Sequence, residues 1–440
     1  KKIRICACGP TVYNYAHIGN ARMSVVTDLL VNVLKTKFQK VVFVSNITDV
    51  DDKIIEASIR EKKPIKEITT KYHKIYNEDM KRIGVNKPDF QPKATEHIQE
   101  MIEMINRLLE NNCAYIEDNH VLFDVSKYEY YGCLSKRTKE EQIAGNRIDV
   151  GEYKKNSEDF VLWKPSKKNE PGWESPWGYG RPGWHIECSA MSEKCLGIPF
   201  DIHCGGIDLT FPHHENEIAQ SCSAFKKNSD PQSFCKYWFH NGFVTVDGEK
   251  MSKSLGNITL INDLLLKYSG PVIRLSLLSS HYRQPLDWST KILEQSKKTL
   301  KKFENFFDKI PSEFFLKDSN SNFDNEFLNS LYDDLNTPRA LASLNKLFDK
   351  AKDPKKDDKK IILSLAKCFK LLGINLNKNN DESNFVTKSE KKIIFDLIQE
   401  REAARKLKDF ERADNIRDKL KKMNINIEDS VEGTKWIKNE

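Results

Sequence analysis

A chain of 440 residues is too long for one ordinary hydrophobic core, so it is expected to divide into roughly two to four domains. Its 71 Lys and Arg against 64 Asp and Glu leave a formal charge of +7, a mild basic excess that permits a polyanionic partner and equally fits solvated, lysine-rich helix faces such as those around 297–302, 355–360 and 419–422. No apolar run reaches the roughly eighteen residues of a membrane span, and the opening Lys1-Lys2-Ile3-Arg4-Ile5-Cys6 reads as a basic strand rather than a signal peptide, so a soluble, cytoplasmic protein with no membrane partner is expected.

In chain order, residues 3–8 read as a buried strand, 21–37 as a helix, 41–46 as a second apolar strand and 51–60 as a helix, which is a βαβ unit. A helix is expected over 97–111. Strands over 114–125 and 145–150 then belong to an insertion that interrupts the fold. Helices over 185–195 and 212–224, with strands at 200–203 and 238–246, complete an α/β fold built on a doubly wound parallel sheet, whose ligands belong at the strand C-termini. Beyond residue 254 the pattern becomes helical, over 291–309, 338–351, 359–372 and 389–406, with Asn/Asp/Ser/Lys-rich linkers near 317–325 and 375–384. The expected division is a catalytic domain in two halves (1–91 and 159–260) around an insertion (92–158), then linker helices (261–310), a helical bundle (311–383) and a C-terminal unit (384–440).

Two motifs carry phosphate chemistry. His17-Ile18-Gly19-Asn20 follows the first strand and opens a helix, so an imidazole and glycine backbone stand at a helix N-terminus, where phosphate binds. Far downstream, Lys250-Met251-Ser252-Lys253-Ser254 follows the turn Val246-Asp247-Gly248-Glu249 and forms a cationic loop able to clamp a nucleotide. Each alone fits an ordinary turn. Together, and in this order, they resemble the HIGH and KMSKS signatures of class I aminoacyl-tRNA synthetases.

The ten cysteines are irregularly spaced with no C-x-x-C pair, which argues against a disulfide framework and a local zinc knuckle. A metal site must therefore be assembled from distant residues. Cys8 ends the first strand, Cys188 lies on a helix, and His213 and Glu217 stand one helical turn apart, so these two project from one face. Ligands of types S, S, N and O suit zinc. Buried apolar thiols and a helix-end histidine explain the same residues without a metal.

Longer segments carry a resemblance to the bacterial cysteinyl-tRNA synthetase family over essentially the whole chain: Cys8-Gly9-Pro10-Thr11-Val12-Tyr13 leading into His17–Arg22, Asn46–Lys53, Gly183–Met191, Phe211–Gln220 and Lys250–Asn257. The resemblance implies one zinc per chain on Cys8, Cys188, His213 and Glu217, and a cysteine pocket formed by Gly9, Thr48, Trp184, His203 and Asp208. It implies ATP bound by His17, Gly19, Asn20, Lys250, Ser252 and Lys253, with His17, Asn20, Lys250 and Lys253 stabilising charge as pyrophosphate leaves. Mg²⁺ accompanies the ATP. The 261–310 helices would contact the tRNA stem, and Arg405, Phe410, Asp414, Arg417 and Asp429 would read the anticodon. The implied partners are ATP, L-cysteine and tRNA(Cys), with a monomer as the expected state.

Zinc has a physical rationale in such an enzyme. A shape-based pocket separates cysteine from serine by only roughly ten- to a few-hundred-fold, whereas a soft metal distinguishes thiolate from hydroxyl far more strongly. No editing domain is then needed, and the 92–158 insertion is too short to be one. Two departures stand out. Asn20 occupies the last HIGH position, and Cys204 replaces a glycine of the family's His-Gly-Gly-Gly stretch. The chain also begins later than that family usually does, so a leading segment is expected. Three rivals use parts of this pattern: a ligase joining cysteine to an amino sugar, which lacks the anticodon-binding region; a short nucleotidyltransferase, which lacks the KMSKS loop; and a non-catalytic tRNA- or zinc-binding protein, with no use for both phosphate motifs.

Overall fold

Alternation along the first strand sets the architecture. In β1 (Lys2–Ala7), Ile3, Ile5 and Ala7 face one side of the sheet and Cys6 the other, each side buried in a different cluster. The computed structural model describes residues 2–137, 141, 153–167, 170–225, 230–251, 255–310, 322–351, 358–376, 388–406, 409–423, 425–430 and 433–438. The expected strand at 145–150 lies outside them.

The helix Ile18–Lys35 crosses from β1 to β2 (Lys40–Ser45), which pairs parallel to it. The helix Asp52–Glu61 starts on an Asp51 cap and ends on Lys62 at φ 52°. The helix Ile65–Arg82 was not expected from the sequence, although Ile68, Tyr72, Tyr76 and Met80 mark its buried face at four-residue spacing. Its Thr and Tyr residues are weak helix formers, so packing rather than propensity decides it. Asp79 and Met80 are buried where it meets the rest of the domain.

After the helix Ile98–Glu110, an antiparallel sheet in the order β3-β4-β5-β6 is built from Ala114–Glu117, His120–Phe123, Phe160–Pro165 and Gly180–Pro182. The expected 114–125 strand is therefore a hairpin, turned by Asp118 and Asn119 at φ 47° and 58°. This sheet draws on residues from both sides of position 158.

The chain then returns through the helix Trp184–Leu196 to β7 (Phe200–Gly206), and through the helix Glu215–Phe225 to β8 (Cys235–Asn241). The central sheet has the order β2-β1-β7-β8, all parallel. Connections leave β1 toward β2 on one side and β7 lies on the other, so the crevice beyond Ala7 and Gly206 is the topological switch point where α/β sheets bind ligands. The helix Ile18–Lys35 covers one face, and the helices Ile98–Glu110, Trp184–Leu196 and Glu215–Phe225 cover the other.

Residues 238–246, expected as one strand, divide at Gly242. β9 (Val244–Val246) leaves the central sheet and joins β10 (Glu249–Lys250) and β11 (Leu286–Trp288) in a separate sheet. Helices at Ile261–Leu264, Gly270–Leu277, Thr290–Phe307, Asn325–Tyr332, Thr337–Ala351 and Asp358–Leu371 follow. They share one core with Ile18, Val25, Leu29 and Val33 of the first helix. The helices Lys388–Lys406 and Phe410–Lys422, with the hairpin β12 (Ile425–Ser430) and β13 (Gly433–Lys438), have a small core of their own around Leu397, Ile416 and Leu420.

Candidate active site

The site grows from the strand ends. Cys8 follows β1 on the face shared with Cys6, while His203, opposite Cys6 in register, comes from β7. Gly9 approaches the β2 exit so closely that a Cβ there would lie 1.6 Å from the Asn46 carbonyl oxygen. Only glycine fits, and its N–H donates to Asn46 Oδ1 at 2.9 Å.

Cys8, Cys188, His213 and Glu217 are brought together with their ligand atoms all within 4.8 Å of one another, and all four are buried. A tetrahedral zinc with usual bond lengths spaces its ligands about 3.3–3.8 Å apart. Cys8 Sγ lies 3.3 Å from Glu217 Oε1, and His213 Nε2 lies 3.1 Å from the same oxygen. A second set, Cys8, His203, His214 and Glu217, satisfies the same criterion. The two sets share Cys8 and Glu217, so they are alternative flanks of one position.

Hydrogen bonds distinguish the flanks. His213 shares its Nδ1 with His185 Nδ1 at 2.9 Å, leaving Nε2 turned toward Glu217. His203 Nε2 meets Glu217 Oε2 at 2.9 Å, and His214 Nδ1 meets His240 Nε2 at 2.8 Å, an arrangement suited to supporting the carboxylate from behind. Burial pushes the Cys8 thiol well up, and Cys188, drawn down by its bond with Cys8 but raised more by burial and nearby carboxylates, stands at about 11. Burial lowers His213 well below the ordinary range, with His185 and His203 adding to the effect. Two protonated thiols and a neutral imidazole form a dry set that a cation can deprotonate and hold.

The surroundings fit a cation as well. Asn46 Oδ1 accepts from Cys188 Sγ at 3.7 Å, while the buried Asn46 Nδ2 has no partner among the described residues.

Of the other pocket residues, Trp184 is partly exposed and stacks on His213, ring centres 4.3 Å apart at 23°. Thr48 is buried and donates to Glu187 Oε2 at 3.0 Å. Asp208 is exposed on the short turn after β7, where its charge reaches His17. Cys204 points to the opposite sheet face, among Ile3, Ile5 and Val31, so the residue replacing a glycine leaves the site unfilled.

His17 caps the helix Ile18–Lys35. Its Nδ1 accepts from the Gly19 and Asn20 amides at 3.1 and 3.3 Å, and Asn20 Oδ1 accepts from the His17 amide at 3.1 Å. The ring's remaining nitrogen therefore carries the proton and can donate. Burial, partly opposed by Asp208 and reinforced by Lys53, lowers its pKa, so the neutral donor persists.

The two phosphate motifs meet. Ile18 N donates to Thr259 O and Ile261 N to Ala16 O, both at 2.9 Å, and a Cβ on Gly19 would sit 3.5 Å from Met251 Cε. Lys250 ends β10, with its side chain outside the described residues, as are Ser252 and Lys253.

The anticodon candidates stand far from these groups in sequence. Phe410, Asp414 and Arg417 occupy the exposed face of one helix, Phe410 at 63 % exposure, opposite buried Ala413, Ile416 and Leu420. Arg405 is exposed near the end of the preceding helix, and Asp429 belongs to β12, its side chain outside the described residues. Sequence reasoning gave no role to Asn46, Glu187, His185, His214 or His240. The paired His213-His214 was a visible signal, whereas Asn46 matters only through folded contacts.

The chain matches the family model described as tRNA synthetases class I (C) catalytic domain over residues 1–298. It is 46% identical to a cysteine–tRNA ligase of Maricaulis maris, covering 99% of this chain and 95% of that one. It is 47% identical to a cysteine–tRNA ligase of Pelagibacter ubique, at 99% and 94% coverage. Among solved structures, the Mycobacterium tuberculosis methionyl-tRNA synthetase in complex with methionyl-adenylate matches with a TM-score of 0.60 and 15% identity, over 84% of this chain and 89% of that one. That last likeness concerns the fold alone.

Proposed function

The chain belongs to the cysteine–tRNA ligases, class I aminoacyl-tRNA synthetases, and from that premise we propose how its own residues carry the reaction. The enzyme activates L-cysteine with ATP to cysteinyl adenylate and pyrophosphate, then transfers the cysteinyl group to the 3′ end of tRNA(Cys).

The observation that carries the reading is that the connection leaving β1 at the sheet's switch point carries both Cys8 of a buried two-thiol cluster and the histidine that caps the next helix N-terminus. The carboxylate of cysteine attacks the α-phosphorus in line, and charge grows on the departing pyrophosphate. His17 donates from its free ring nitrogen, Asn20 from its amide nitrogen, and the helix N-terminus adds its positive end. Lys250, which ends β10, and Lys253, three residues on in the sequence, supply the cationic charge for the same phosphates. Because these contacts strengthen as charge develops, they raise the rate rather than merely the affinity.

Cys8, Cys188, His213 and Glu217 would hold a zinc ion, which when bound supplies a soft Lewis acid that prefers a thiol to a hydroxyl. His203 steadies Glu217, and His185 fixes the tautomer of His213. Trp184 walls the side-chain pocket, Gly9 and Thr48 line its floor, and Asp208 takes the ammonium or a ribose hydroxyl. Mg²⁺ enters with the ATP phosphates. The basic linker helices contact the tRNA stem, and Arg405, Phe410, Asp414, Arg417 and Asp429 read the anticodon. The chain works as a cytoplasmic monomer. Among the described residues no helix is long and apolar enough to cross a membrane.

The test is cysteine-dependent ATP–pyrophosphate exchange followed by charging of tRNA(Cys). Exchange should require cysteine and discriminate against serine by about 10⁴ or more, beyond the reach of a shape-only pocket. Equal exchange with serine would overturn the thiol-selective site.

A further inference from the structure

Arg22 is completely buried, on the same helix that His17 caps, and no carboxylate neighbours it among the described residues. Burial lowers its pKa to about 10. Its guanidinium donates instead to two backbone segments, 242–243 and 280–284. Nη1 reaches Gly242 O and Phe243 O at 3.1 and 2.6 Å; Nη2 reaches His281 O, Tyr282 O, Gln284 O and Ser280 Oγ at 3.3, 3.4, 2.6 and 3.3 Å. A buried cation is costly, and convergent carbonyls can offset that cost because each charge-assisted bond is strong at low dielectric.

The two segments have a common destination. Gly242-Phe243 leads directly into β9, and Gln284 stands two residues before β11, its parallel partner. β10 then carries Lys250 on the other edge of β9. The segments close on each other where Gly242 N donates to Tyr282 O at 2.7 Å, and a Cβ at Gly242 would lie 2.6 Å from Gln284 O. Arg22 therefore fastens the root of the sheet bearing the second phosphate motif to the helix bearing the first. The outer side of the same clasp is held from the helical bundle, where Asp334 accepts from Tyr282 Oη at 2.6 Å and from Arg283 Nε at 2.6 Å.

We propose that Arg22 is a positioning residue for adenylate formation, setting the separation of the His17 cap from β10, the strand on which the second motif begins, by clamping the roots of β9 and β11. It touches no substrate. The inference rests on the assignment of those two motifs to ATP, so the wild-type enzyme must first show cysteine-dependent exchange; its absence would sink that assignment rather than the role of Arg22.

The experiment compares Arg22→Lys with wild type in pyrophosphate exchange, with rates expressed per active site by titration of the adenylate burst. Lysine keeps the charge but cannot span two rows of carbonyls. The expected result is a fall in kcat on the order of 10²-fold, the usual cost of misplacing reacting groups by about an ångström, with KM for cysteine and metal content unchanged. A double-mutant cycle with Lys253→Ala should be strongly non-additive, because both changes disable the same contact. Gly242→Ala, which wedges the two segments apart while leaving Arg22 in place, should reproduce the kcat loss and carries the test alone if Arg22→Lys does not fold. Unchanged kcat per active site in both variants, or multiplicative losses in the cycle, would reduce Arg22 to a structural rivet and overturn the proposal.

Discussion

The crevice at the end of the central sheet and the exposed face of the last long helix both collect residues with recognition chemistry, yet they hold them in opposite ways. In the crevice, Cys8, Cys188, His203, His213, His214 and Glu217 are all buried and tied to one another. On the helix Phe410–Lys422, Phe410, Asp414 and Arg417 share only a helical spacing, with their side chains in solvent. A buried polar cluster is expensive unless every member is satisfied, so its geometry restricts its chemistry severely. An exposed face costs almost nothing and is equally consistent with a solvated surface. The difference teaches that burial, rather than residue type, makes a site readable.

The largest effect should come from breaking the crevice. Cys8→Ser or Cys188→Ser should abolish stoichiometric zinc and lower cysteine activation by about 10³-fold or more, since removing a ligand from a closed set exceeds the roughly 10- to 100-fold cost of losing a supporting hydrogen bond. His214→Gln should fall in that smaller class and retain zinc. Metal analysis beside pyrophosphate exchange checks both, and loss of zinc in the His214 variant with retention in the Cys188 variant would move the ion to the alternative flank.

Next in size is Lys253→Ala, expected to cut the rate of adenylate formation by about 10²-fold while changing ATP affinity little, as for loss of one transition-state donor. Single-turnover measurement separates the two, and a change confined to the ATP KM would make the lysine a ground-state binder.

The exposed helix should respond more weakly and only with tRNA present. Asp414→Ala or Arg417→Ala should weaken charging of tRNA(Cys) by about 1–3 kcal/mol and narrow discrimination against altered anticodons, leaving exchange untouched. Equal weakening for all tRNAs would mark phosphate contacts instead.

The last effect is on stability, and it leaves the chemistry of the crevice aside. Burial holds His185 at about 3 and His240 at about 4, below the ordinary 6.5 of the unfolded chain. The unfolded state thus binds protons first, so these groups favour the native state above pH 6.5, and that contribution is lost as pH falls through 6.5 toward 4. The slope is at most about 1.4 kcal/mol per pH unit for each histidine. Denaturant titrations at pH 7 and pH 5 should show it, and His240→Gln should remove one histidine's share.

Much of this was legible in the sequence because short-range patterns report short-range causes. Apolar runs marked β1 and β2, and helical spacing placed His213 and Glu217 on one face, where they stand 3.1 Å apart. The break at Gly242 was not legible, because its reason is a carbonyl contributed by Gln284. Nor could spacing tie Cys8 to Glu217, which only the parallel pairing of β1 with β7 brings within reach. Family likeness supplied that pairing from outside the local pattern. The helix Ile65–Arg82 shows the intermediate case: its buried stripe was present but obscured by residues of low helix propensity.

One feature of the core bears on how the molecule can be taken apart. The helix Ile18–Lys35 sends Val31 into the sheet's cluster and Val25, Leu29 and Val33 into the cluster shared with Phe303, Leu344 and Phe369. A fragment cut after residue 310 would lose Phe327, Leu331, Leu344, Leu365 and Phe369 from that second cluster and bare the apolar side chains they cover, at a cost of about 1.5–3 kcal/mol for each side chain fully bared, comparable in sum with the whole stability of a domain. The nucleotide fold therefore has no clean proteolytic border with the bundle. Limited digestion should release the C-terminal unit, with its separate small core, and leave everything before it as a single resistant piece whose slowest-exchanging amides lie in the first helix.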